Sequence, residues 1–207
     1  MATATGEVGN PVPIPLRGRE LSCIEDDVRP FALELHDGRL YVGSVCNGEA
    51  GGVGSLAAYV YRFDPVAKAF SDTPVFEWTL DYARGVPGNG CGEGTWNAWT
   101  ATDVYNTIRG HRCAYPQPWL TGLAFDRGEL ILGLRDRFGD QAGHAHPVGG
   151  EGVSAGDLVR ACRGAPGTWV SEHDEGCSRG GAAEEYYSQE RFFDGGNHQE
   201  TRLGGLV

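Results

Sequence analysis

A chain of 207 residues with 40% hydrophobic and 10% aromatic content can bury an ordinary core, which excludes a disordered polymer. Its net charge of −11, its single lysine (Lys68) and its scattered arginines exclude a surface built for nucleic-acid phosphates. No apolar run is long enough to cross a membrane, and Met1 to Pro15 shows neither the basic start nor the apolar centre of an export signal.

In chain order, residues 1–22 are rich in Pro and Gly and are expected to form a poorly ordered leader or linker. Residues 23–80 supply four expected strands: Val28 to Leu35, Arg39 to Val45, Leu56 to Phe63 and Pro74 to Leu80. In the third, Ala58, Val60 and Arg62 alternate with Tyr59, Tyr61 and Phe63, the period of a strand with two unlike faces. Residues 81–115 form an insertion of Gly, Asn, Trp and Thr, long enough to suggest function. Residues 116–170 resume with strands at Pro118 to Phe125 and Glu129 to Leu134. A polar loop then runs from Asp136 to Ala155, before strands at Asp157 to Cys162 and Thr168 to Val170. Another long loop occupies residues 171–202.

The second unit repeats the first. Arg29-Pro30-Phe31-Ala32-Leu33-Glu34-Leu35 turns through His36-Asp37-Gly38 into Arg39-Leu40-Tyr41-Val42-Gly43; Gln117 to Phe125 turns through Asp126-Arg127-Gly128 into Glu129 to Leu134. The best match sets Pro30 on Pro118 and Leu35 on Leu123, with a small gap before Gly43 meets Gly133. Leu203-Gly204-Gly205-Leu206-Val207 resembles Leu120 to Ala124 and reads as the start of a third copy. Four strands per unit, repeated, is the pattern of β-propeller blades. The expected fold is therefore all-β and β-propeller-like, with about two four-stranded blades, the start of a third, and long disulfide-stapled loops. Two blades cannot close a ring that needs about four to eight, so further blades, a partner or self-association would cover the exposed edges.

Of the cysteines, Cys23, Cys46, Cys91, Cys113, Cys162 and Cys177, none forms a CxxC pair or lies at zinc-finger spacing to a histidine. Disulfides, and with them an oxidising compartment, are the better reading. Six cysteines allow about 15 pairings, and the repeat favours the local set Cys23–Cys46, Cys91–Cys113 and Cys162–Cys177. An extracellular type of chain without an export signal is expected to be a fragment of something larger.

Several constellations carry possible chemistry. Gly152-Val153-Ser154-Ala155-Gly156 matches a nucleophile elbow but lacks the apolar strand before it and the helix after it. Gly52-Val53-Gly54-Ser55-Leu56-Ala57 matches a dinucleotide fingerprint, yet a strand follows where a helix N-terminus should hold the pyrophosphate, so a glycine-rich hairpin connection is preferred. Asp136, Asp140 and Gln141, with Asp126 nearby, are a weak calcium candidate, set against a turn stabilised by Asp side chains with Arg135 and Arg137 paired locally. His144 and His146 lack a third metal partner. Glu184 and Glu185 could serve a glycosidase, although adjacent carboxylates on an acidic loop are ordinarily solvated. Trp96, Trp99 and Tyr105 are the candidate contact surface for a glycan or protein; packing of the insertion against the blade is the competing reading.

Asp27-Val28-Arg29-Pro30-Phe31, Gly38 to Gly43, Tyr115 to Thr121, Gly133 to Gln141, Gly156 to Cys162 and Leu203 to Leu206 together resemble large secreted bacterial surface proteins. In that family a propeller-like region precedes tandem SdrD B-like (Cna B-type) modules. The resemblance implies an extracellular or cell-surface location and a structural or adhesive role, with no assigned catalytic residues.

The sequence thus reads as a non-enzymatic extracellular structural or adhesion module. Its expected partners are the remaining blades or domains of a larger polypeptide and an extracellular glycan or protein. Nucleic acid, membrane insertion and any cofactor other than the weakly indicated calcium are not expected. The alternative is a secreted propeller lectin or glycoside hydrolase.

Overall fold

The structure is a computed structural model that describes residues 9–15, 18, 20–82, 95–101, 105–108, 111–142 and 156–171. Strand β1 (Val28–His36) turns into β2 (Arg39–Cys46), and β3 (Ala57–Asp64) returns beside it. Two short strands, β4 (Ala69–Phe70) and β5 (Phe76–Thr79), both pair with β3 to complete a five-stranded antiparallel sheet. A separate hairpin of β6 (Tyr105–Ile108) and β7 (His111–Ala114) follows. The second large sheet is a meander of β8 (Pro118–Asp126), β9 (Glu129–Asp136), β10 (Asp157–Arg163) and β11 (Trp169–Ser171). The all-β expectation is met, and the eight expected strands of the two units lie within two residues of their expected bounds. Among the described residues the sheets form no closed ring.

Three elements depart from expectation. The 81–115 insertion contains the β6–β7 hairpin, and the two residues of β4 are too few to give a period. The loop expected from Asp136 begins instead with helix α1 (Arg137–Ala142). Gly139 in its middle disfavours a helix, but the Asp136 carboxylate accepts from the Phe138 N–H at 3.0 Å and caps its first turn.

The two leading hairpins are equivalent residue for residue, displaced by 90 positions without a gap. Val28 faces Cys46 as Pro118 faces Asp136, and Leu33 faces Val42 as Leu123 faces Leu132. The bulges coincide too, falling between Pro30 and Ala32 and between Leu120 and Gly122. Asp37-Gly38 and Arg127-Gly128 all have positive φ, as a two-residue hairpin turn demands. Beyond the strand ends the match continues, with Asn47 N–H donating to the Asp27 carbonyl and Arg137 N–H to the Gln117 carbonyl, both at 2.9 Å. This corrects the gapped match of Pro30 to Pro118. The prolines catch the eye in sequence, but hydrogen-bond register sets equivalence, and it places Pro118 on Val28.

One face of the first sheet packs on one face of the second. Ala32, Tyr41, Val45, Ala58, Val60, Phe76 and Trp78 meet Leu120, Leu123, Leu130, Leu132, Leu134, Val159, Ala161 and Trp169 in a single core. Gly43 marks the closest approach: a Cβ there would lie 2.7 Å from Leu120 Cδ2. The opposite face of the first sheet is covered in its outer part by Ile14, Leu21 and Cys23, which pack on Cys46, Ala57, Tyr59 and Tyr61. The described part of residues 1–22 therefore packs on the sheet, where its apolar side chains have aromatic surface to cover. At β1 that same face stays open, with Phe31, Leu33 and Leu35 all more than half exposed.

Candidate functional site

The disulfide Cys23–Cys46 is present with Cα atoms 5.7 Å apart, fastening the N-terminal segment to the end of β2. Cys162 is also disulfide-bonded. Its expected partner Cys177 lies outside the described residues, as do Cys91 and the side chain of Cys113.

The calcium candidates are engaged otherwise. Asp136 is 1% exposed and its Oδ1 accepts from the Gln117 and Phe138 backbone N–H groups at 3.0 Å each. Asp140 Oδ1 accepts from Arg135 at 2.6 Å, and Gln141 is exposed. Asp126 closes the opposite end of the β8–β9 hairpin from Asp136, roughly 25 Å away at a strand rise of ~3.3 Å per residue, so it joins no common site. The carboxylates hold a strand-to-helix turn, the competing reading of this stretch. Arg137 departs from simple local pairing: it donates to Gln117 Oε1 at 2.7 Å and lies over the Trp99 ring, 4.4 Å from its centre. Burial lowers its pKa, with Glu49 opposing and Arg29 reinforcing the shift. Among the described residues no three His, Cys, Asp or Glu side chains gather as metal ligands.

Trp96 and Trp99 do not form an exposed platform. Trp96 is 2% exposed and donates its indole N–H to Tyr82 Oη at 3.2 Å, while Tyr82 donates to Asp157. Trp99, half-buried, donates to the Pro118 carbonyl at 2.8 Å, and its backbone N–H donates to Asn47. These rings fill the seam between the two sheets, which corrects the contact-surface expectation for them; an indole in a seam stabilises by burial and by its satisfied N–H. The side chain of Tyr105 lies outside the described residues, as do His144, His146, Ser154, Glu184, Glu185 and residues 203–207. Gly52-Val53-Gly54-Ser55-Leu56-Ala57 joins β2 to β3 through a three-residue 3₁₀ turn, Val53–Ser55, with no helix N-terminus for a pyrophosphate.

A second constellation was invisible in sequence. A cavity of about 450 Å³ opens at the turn ends of both sheets, lined by His36, Asp37, Tyr41 and residues 163–169. The His36 ring stacks on Phe125 at 4.0 Å and its Nε2 lies 3.3 Å from Asp37 Oδ2. Tyr41 stands in a cross-strand row between Glu34 and Arg62. Burial raises its phenol pKa, opposed by Arg62, Arg163 and Arg39 and reinforced by Asp37. No motif spacing links the lining residues, which come from four strands and two turns.

The chain is similar to three proteins of Dictyostelium discoideum: 35% identical over 158 residues to Colossin-A, 32% over 157 to Colossin-C and 30% over 145 to Colossin-D. The matches take in 74%, 73% and 68% of this chain but only 1%, 14% and 13% of those proteins, so the chain spans a small part of the curated relatives it matches. No family profile matches the chain. No solved structure matches it significantly. These findings overturn the resemblance to bacterial surface proteins with SdrD B-like modules. Within the Gly133 to Gln141 stretch of that resemblance, Arg135 to Gln141 is a strand end, a capped turn and a helix start, held by local hydrogen bonds.

Proposed function

We propose that the chain is a non-enzymatic structural module of an extracellular protein, built as two neighbouring blades of a propeller-like array. The observation that carries this reading is the open pair Leu33 and Leu35; Phe31 beside them, though half-exposed, already meets the Trp119 ring at 4.5 Å. By the 90-residue equivalence Leu33 and Leu35 correspond to Leu123 and Phe125, the residues with which β8 packs on the first sheet. A surface that serves as a packing face in one repeat and lies bare in the other fits a further sheet of the same type as its occupant. That sheet would present small and aromatic residues like Ala32, Gly43 and Tyr41. β1 and β8, the first strands of their sheets, lie side by side, which agrees with blade order. The Cys23–Cys46 bridge supports an oxidising, extracellular setting. An adhesive role would rest on surfaces outside the seam.

The test is sedimentation of the chain, with a polarity-sensitive dye, before and after the double change Leu33→Glu and Leu35→Glu. The unaltered chain is expected to associate or light the dye, and the variant to do neither while keeping its circular dichroism. A dark dye and a monomer at high concentration in the unaltered chain would overturn the proposal. Turnover of glycoside or ester substrates would separately overturn its non-enzymatic part.

A further inference from the structure

The cavity between the sheets has a chemistry that a structural module does not require. Of the arginines with described side chains, Arg29, Arg39, Arg127, Arg135 and Arg160 each face a carboxylate, and Arg137 is held by Gln117 and Trp99. Arg62 and Arg163 have no carboxylate partner among the described residues, although the chain carries 28 acidic against 17 basic side chains. Both converge on this one place. Arg163 lines the cavity, its Nε anchored on the Gly128 carbonyl at 3.0 Å. Arg62 stands beside it on the other sheet, its Nη1 3.9 Å from where a Cβ on the lining residue Gly167 would lie. Tyr41, whose ring is buried, faces both.

We infer that this cavity binds the carboxylate of an acidic sugar, with Arg62 and Arg163 as the cation pair and the Tyr41 hydroxyl as a neutral donor. Guanidinium groups suit a carboxylate because their planar donors match its two oxygens, and a pair without internal carboxylate partners has no ion pair to break on binding. The walls suit a sugar ring. Tyr41 and Trp169 meet edge to face at 6.0 Å, and His36 is braced flat on Phe125, so apolar ring surface lies beside polar groups. Asp37 on the rim offers an acceptor for hydroxyls. The volume, about 450 Å³, is that of a small-molecule site and too small for a folded partner. The inference is independent of the blade reading, since both sheets that build the cavity are in this chain.

The experiment is calorimetric titration of the full chain with glucuronate, glucose and glutarate at low salt, repeated with Arg62→Gln, Arg163→Gln and, as a control for a nearby arginine that does not line the cavity, Arg127→Gln. Glucuronate is expected to saturate and glucose not to. Each cavity variant should weaken binding roughly tenfold, R127Q should leave it unchanged, and added salt should weaken it. All three substituted arginines are exposed, so the variants should fold as the parent does. No saturation by roughly 50 mM glucuronate would overturn the inference, that concentration lying beyond ordinary weak recognition. So would equal binding of glucose, equal binding of glutarate (a carboxylate without a ring), or an equal loss in R127Q.

Discussion

Leu33 and Leu123 occupy the same place in two hairpins of the same register, yet one is 62% exposed and the other 4%. Nothing in the local sequence sets them apart; each follows a bulge and precedes a two-residue turn. The second sheet has a neighbour to pack on and the first has, over β1, none among the described residues. Burial here is a property of how sheet packs on sheet, and the hairpin only supplies a face able to accept it. The bases of the hairpins differ in another way. At equivalent positions the first sheet has Cys46, bridged to Cys23, where the second has Asp136, which gathers two backbone N–H groups. A covalent tie and a buried carboxylate thus serve the same end, fixing what enters or leaves the sheet.

The sharpest way to break the comparison is to truncate both leucines. Leu123→Ala should cost about 3 kcal/mol by loss of buried surface and creation of a cavity, whereas Leu33→Ala should cost about 0.5 kcal/mol or less. Urea unfolding measures both, and equal losses would mean that Leu33 is already covered in solution. Removal of the disulfide comes next in size. Cys23→Ser with Cys46→Ser should lower stability by about 3 kcal/mol, since the bridge closes a segment of sequence separation 23. Reductant should bring the unaltered chain to the same unfolding midpoint. The equivalent carboxylate should matter somewhat less: Asp136→Ala, which leaves the Gln117 and Phe138 N–H groups buried without that acceptor, should cost about 2 kcal/mol. A loss below ~0.5 kcal/mol, within the range of ordinary surface changes, would show that the turn holds without it.

The smallest effect has the opposite sign. Tyr59, on the face covered by Ile14 and Leu21, has a buried hydroxyl without a hydrogen-bond partner among the described residues. Tyr59→Phe should therefore be neutral or stabilise by up to ~1 kcal/mol. Burial, with a lesser push from Glu77, raises its phenol to about 12. A phenol is neutral when protonated, so a folded pKa above the unfolded value near 10 favours the folded state. That contribution is fully present below pH ~10 and is lost as the pH rises through about 12. Ultraviolet titration should find this tyrosine still protonated near pH 11, and ionisation together with the exposed tyrosines would show the N-terminal cover to be absent in solution.

Sequence alone determined the strands, the turn chemistry of Asp37-Gly38 and Arg127-Gly128 and the repeat, and it favoured the Cys23–Cys46 pairing that the structure shows. All of these rest on interactions within some 25 residues or on a period that survives without long-range contacts. Tertiary structure decided the rest. It set the true register of the repeat, because hydrogen bonds align strands where matching letters do not. It turned Trp96 and Trp99 from a candidate surface into a seam, because an aromatic side chain reads the same in sequence whether a second sheet covers it or not. It also brought Tyr41 and Arg163 into one cavity and set Arg62 at its edge. Arg163 lies about 100 residues beyond Arg62, and only the packing of one sheet on the other makes them neighbours.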